Sequence, residues 1–88
     1  MNDRVNTLTV YDNKLIAGGE FTTAGGTSAN HIAAWDGSSW SPLGLGTDRD
    51  VLTLTVYGNK LVAGGEFYTA GGTAASHIAA WEIGRAHV

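Results

Sequence analysis

The 88-residue chain holds few residues able to do chemistry, and most of those occur twice, 46 positions apart. His31 pairs in this way with His77, Glu20 with Glu66, and AGGEFTTAGGTS (17–28) with AGGEFYTAGGTA (63–74). A glycine-rich stretch ending in hydroxyls invites comparison with a phosphate cradle. That site needs a helix start behind the glycines and a Lys beside the last of them. Gly26 is followed by Thr27 and the downstream HIAAW reads as strand, so no phosphate site is expected. A metal needs several ligands converging within about 2.0–2.2 Å of one ion, whereas repeat-equivalent His and Glu side chains are held apart by the repeat itself. The expectation is no metal and no cofactor. Nucleophilic catalysis needs a positioned nucleophile, base, orienting acid and oxyanion hole. No nucleophile elbow occurs, and Ser28, Ser38, Ser39, Ser41 and Ser76 fall in turns or strand starts. No catalytic residue and no enzymatic activity are expected.

What remains are residues that the repeat does not explain. Gly46–Asp50, GTDRD, is the least repeated segment, and variable loops on a rigid scaffold are where binding residues tend to sit. Two carboxylates around Arg49 are too few for a calcium loop, which takes six to eight oxygens. Asp48, Arg49 and Asp50 therefore stand as ligand-binding candidates without a metal. Tyr68 joins them, because it replaces Thr22 and adds a stackable ring to one loop only.

Composition narrows the partners. Eight acidic against five basic residues give a net charge of -3 with no basic run, which argues against nucleic acid. There is no cysteine, hence no disulfide or thiolate site. No apolar run approaches the roughly 20 residues of a membrane span, and MNDRVNTLTV lacks the basic region and apolar core of a signal peptide.

The elements follow from the repeat. Val5–Asp36 recurs as Val51–Glu82 with about 25 of 32 aligned residues identical. VNTLTVY alternates, with Asn6, Leu8 and Val10 on one face and Val5, Thr7, Thr9 and Tyr11 on the other. Asp12-Asn13 and Gly58-Asn59 are residues that tolerate the positive φ of tight hairpins. KLIAGG, HIAAW and a strand from Ser39 to Gly44 complete four short strands per 46 residues, the pattern of a β-propeller blade. The expected fold is all-β: about two four-stranded antiparallel blades of an incomplete propeller. Blade 1 takes 1–46 and a truncated blade 2 takes 47–82.

NKLIAGG followed by a polar loop and HIAAWDGSSWSPLG resembles the kelch repeat, with Gly18-Gly19 and Gly64-Gly65 as glycine pairs and Trp40 as closing Trp. It resembles still more the bacterial propeller repeats of the GGxFTxAGG…IAxWDGxxW type. Trp35 and Trp81 where kelch repeats carry Tyr, and the second pair Gly25-Gly26, depart from kelch. The resemblance implies more than two blades, a binding or scaffold role towards a protein or carbohydrate ligand, and an extracellular or cell-surface location. The alternative is a propeller enzyme, galactose-oxidase-like or glycoside-active, whose catalytic residues lie outside these repeats.

After Trp81 the repeats share nothing: DGSSWSP is answered by EIGRAHV. IGRAHV, 83–88, matches what one frame of a widely used sequencing adapter encodes, so these residues are expected to be a non-native tail on a fragment. Such a fragment exposes faces meant for neighbouring blades, and is expected to be unstable or to close a ring by self-association.

Overall fold

The computed structural model describes residues 2–82 and 85–87. It is built of strands: β1 (Val5–Tyr11), β2 (Lys14–Gly19), β3 (Thr23–Ala24), β4 (Thr27–Ser28), β5 (Ile32–Trp35) and β6 (Trp40–Pro42), then β7 (Val51–Tyr57), β8 (Lys60–Gly65), β9 (Thr69–Ala70), β10 (Thr73–Ala74), β11 (Ile78–Glu82) and β12 (Arg85–His87). Two four-stranded antiparallel sheets result, β1-β2-β5-β6 and β7-β8-β11-β12, each with a two-stranded hairpin beside it. The four-strand blade expected from the repeat is complete in β1-β2-β5-β6; in the second sheet the fourth strand, β12, is drawn from residues 85–87, beyond the 47–82 assigned to blade 2. The hairpins β3-β4 and β9-β10 lie within what reads in sequence as glycine-rich loop.

Local chemistry sets these elements. Asp12 and Asn13 take φ of +53° and +61°, the two left-handed residues that a twisted two-residue hairpin turn demands. Gly25 and Gly26, at +56° and +82°, do the same for the small β3-β4 hairpin. The Asp36 carboxylate accepts the N–H groups of Ser38 and Ser39 at 2.8 and 2.9 Å and closes the turn into β6. β6 is shorter than the Ser39–Gly44 span expected from sequence. Pro42 lacks an N–H to continue a ladder, and Leu43 enters a turn in which its carbonyl accepts the Gly46 N–H.

The alternation of β1 is broken. Val5 pairs with Gly19 but Thr7 with Gly18, so Asn6 is an extra residue in a β-bulge, and β7 repeats this between Val51 and Thr53. A bulge returns the preceding side chain to the other face. Val5 therefore joins Leu8, not Thr7, and Val51 joins Leu54; strict alternation does not hold. The cause lies at the second glycine of the pair. A Cβ on Gly19 would lie 2.1 Å from the Arg4 carbonyl oxygen, and one on Gly65 2.2 Å from that of Asp50, so the incoming chain lies directly on the glycine backbone.

The blades approach most closely along β1 and β7. The forward face of blade 1 presents Tyr11, Ile16, Gly18, Ile32 and Ala34, and the rear face of blade 2 packs on it with Val51, Leu54, Leu61 and Trp81. The core of this interface includes fully buried Ile16, Ile32, Val51, Leu61 and Trp81. A second, separate cluster comprises Ala17, Phe21, Ala24, Ala29 and Ala33, with Trp40 against it. Phe21 is fully buried there with no blade behind it. Phe21 thus packs within its own blade, whereas Phe67, also fully buried, belongs with Trp81 to the cluster that runs through the junction between the blades. Burying each Phe contributes on the order of 1.5–3 kcal/mol.

Candidate functional site

The candidate residues Asp48, Arg49, Asp50 and Tyr68 come together at the rim formed by the β8–β9 connection and the segment leading into β7. Asp48 Oδ1 accepts the backbone N–H of Tyr68 at 2.8 Å and of Thr69 at 2.9 Å. Those two bonds, that from Thr69 foremost, hold the carboxyl below its ordinary pKa against a smaller opposing effect of desolvation. Arg49 Nη2 lies 3.9 Å from Glu66 Oε1, with both side chains more than half exposed. Asp50 contributes its backbone carbonyl, which accepts the Glu66 N–H at 2.9 Å. The Tyr68 ring is exposed and leans on the His77 imidazole, with centroids 5.1 Å apart and planes inclined by 58°.

Blade 1 builds the same frame from different residues. Asn2 Oδ1 accepts the N–H groups of Thr22 and Thr23 at 2.8 and 3.0 Å, and its Nδ2 donates to Thr22 Oγ1 at 2.8 Å. Asn2 and Asp48 are therefore equivalent clamps on the glycine-rich hairpin. The signal was the same 46-residue offset carried three residues further back, to two side chains that share only an Oδ1 acceptor. Arg4 repeats the backbone part of Asp50, its carbonyl accepting the Glu20 N–H at 2.8 Å.

The histidines are structural in one repeat and differently placed in the other. Both take a left-handed backbone, His31 at φ +69° and His77 at +70°, and both donate their N–H to the carbonyl of the repeat's Phe, at 2.9 and 3.0 Å. His31 Nδ1 lies 2.8 Å from the Thr47 carbonyl oxygen, which can only accept, so this nitrogen carries the proton. The linker into blade 2 is tied further by Thr47 N–H to Asn30 O at 3.1 Å and Gly71 N–H to Gly46 O at 2.8 Å. His77 instead supports Tyr68. Among the described residues no three His, Asp or Glu side chains gather around one point.

One cavity of about 150 Å³ opens on the forward face of blade 1, beside Tyr11, Asp12, Lys14, Ile16, Ala34 and Ser41. It lies below the roughly 300 Å³ at which small-molecule pockets begin. Asp48, Arg49, Asp50 and Tyr68 are all absent from its lining.

Two antiparallel four-stranded sheets packed face to face about their first strands, with no helix and no closed barrel among the described residues, make this an incomplete β-propeller. A family model described as "Domain of unknown function (DUF5122) beta-propeller" matches residues 12–33, from the first hairpin turn through β2 and the β3-β4 hairpin into β5. No curated protein and no solved structure matches the chain. No helix among the described residues is long and apolar enough to cross a membrane.

Proposed function

We propose that this propeller segment, of kelch-like type, is a binding or scaffold module that engages a protein or glycan at the bacterial cell surface, and we assign no reaction to its residues. The observation that carries the reading is the rim of blade 2. Tyr68 stands exposed over His77 at the position where blade 1 has Thr22, and the same rim carries the exposed Arg49–Glu66 pair. An aromatic face offers apolar area to the C–H face of a sugar ring or to a side chain, and that pair supplies a planar donor fork and an acceptor. Asp48 holds the loop from beneath through the backbone, so the shelf is preset.

The reading is tested by isotope-edited NMR titration with galactose and N-acetylglucosamine oligosaccharides. Shifts at Tyr68, His77 and Arg49 that vanish in Tyr68→Ala, with the blade signals otherwise intact, are expected. Perturbations that survive Tyr68→Ala, or that map away from the rim, would remove it as the binding site.

A further inference from the structure

The two repeats are nearly identical in sequence yet differ sharply in what they bury, and the differences sort by face. On forward faces, Tyr11 is 8% exposed but Tyr57 80%, and Ile32 0% but Ile78 63%. On rear faces the order reverses: Leu54 is 7% exposed but Leu8 57%. Val51 is fully buried while Val5 is exposed, and Trp81 is fully buried while Trp35 is only partly so. Every one of these pairs is the same residue type. The chain thus carries one satisfied forward-to-rear junction and, at its two outer faces, a free copy of each half of that junction.

We propose that the forward face of blade 2 docks the rear face of blade 1 from a second copy of this chain, repeating between molecules the contact that already exists within one. The internal junction shows what fits. Val51 and Leu54 sit over Gly18, so close that a Cβ there would lie 2.6 Å from Val51 Cγ1. Over Gly64 that space holds nothing from another blade: a Cβ would meet Thr53 Cγ2 at 3.1 Å and then only the His77 carbonyl oxygen at 3.8 Å. Val5 and Leu8 of the second copy are the residues that fill it. Tyr11 places its hydroxyl 2.7 Å from the Asn59 carbonyl oxygen and 3.2 Å from that of Trp81. Tyr57 repeats this towards the Asn13 and Trp35 carbonyls of the second copy.

Two departures set the strength of the outer contact. Leu52 replaces Asn6, whose Nδ2 donates to the Val51 carbonyl at 3.0 Å, so that bond has no counterpart. Val62 replaces Ile16 and leaves the outer forward face one methylene smaller. The contact is heterologous, with different surfaces meeting. A fixed rotation at each step then carries the assembly on to a closed ring, of about three or four copies at the usual blade numbers. The proposal is independent of any ligand at the rim.

The experiment is sedimentation velocity and native mass spectrometry of the full chain over a concentration series, with Leu8→Asp and Ile78→Asp. Both substitutions fall on exposed positions of opposite outer faces, and far-UV circular dichroism checks that each variant keeps its sheets. Wild type is expected to assemble with rising concentration and to melt at a temperature that rises with it. Each variant alone is expected to stay monomeric, its association weakened at least about tenfold. An equimolar mixture is expected to form a one-to-one heterodimer, since each variant retains the face that the other has lost. Tyr57→Glu, also exposed, serves in place of Ile78→Asp should that variant lose its sheets. A monomeric wild type, assembly by either variant alone, or a mixture that stays monomeric overturns the proposal.

Discussion

The same substitution made at Gly18 and at Gly64 has opposite consequences. Both glycines hold the same register position, opposite the Thr7 or Thr53 of the neighbouring strand, and neither needs a left-handed backbone. An added Cβ meets the Thr Cγ2 at 3.1 Å in each case, so this cost cancels in the comparison. So does the reduced freedom of the unfolded chain, worth about 0.4–1 kcal/mol in favour of Ala. What does not cancel is Val51 Cγ1 at 2.6 Å and Leu54 Cδ1 at 3.1 Å, which only Gly18→Ala encounters. Val51 is fully buried and β-branched, stiff at χ1, so relief has to come from the spacing between blades. Overpacking of this kind costs about 1–3 kcal/mol. At about 4–8 °C per kcal/mol for a chain of this size, Gly18→Ala should melt roughly 5–20 °C below Gly64→Ala. Circular dichroism melts at low concentration, with denaturant slopes to confirm an unchanged unfolded state, measure this. Equal stabilities within about 0.5 kcal/mol would refute the inter-blade placement of Gly18. At high concentration Gly64→Ala should assemble less readily than wild type, because it occupies the slot for Val5 and Leu8.

Two further outcomes follow from the repeat-equivalent pairs. Tyr11→Phe removes the hydroxyl that reaches the Asn59 and Trp81 carbonyls and should cost about 1 kcal/mol, whereas Tyr57→Phe should be neutral in the dilute monomer; equal melting temperatures would count against it. The lowered carboxyl pKa values of Asp36 and Asp48 mean that their contribution is complete above the usual carboxylate range and is lost as pH falls through the depressed folded values. Asp48→Asn, which reproduces the clamp that Asn2 makes, should keep neutral-pH stability and move the acid-unfolding midpoint to lower pH; an unchanged midpoint would show that Asp48 does not contribute.

The blade was legible in the sequence because its strands, turns and repeat offset all state the same pattern. Asp12-Asn13 and Gly25-Gly26 name their own backbone conformations. The bulge was not legible. Val5 to Tyr11 alternates without interruption, and the extra residue is imposed by a backbone approach to Gly19 that involves no side chain of β1. The small hairpins escaped for a related reason, since two-residue strands carry no periodicity. At the rim, Tyr68 was visible as the change that adds a ring. The clamp of Asn2 and Asp48 was hidden, because their neighbours differ in charge, Asp3 against Arg49 and Arg4 against Asp50, while the shared acceptor atom does the work.

The Gly46–Thr47 linker reaches both blades at once, through Asn30 and His31 on one side and Ala70 and Gly71 on the other. Swinging one blade against the other would break these bonds together with the core between the blades. The distance and angle between the Thr22 and Tyr68 edges are consequently set before any ligand arrives. A multivalent ligand gains from bridging them only if its own spacing matches, since a rigid pair cannot adjust its span as a flexible tether does.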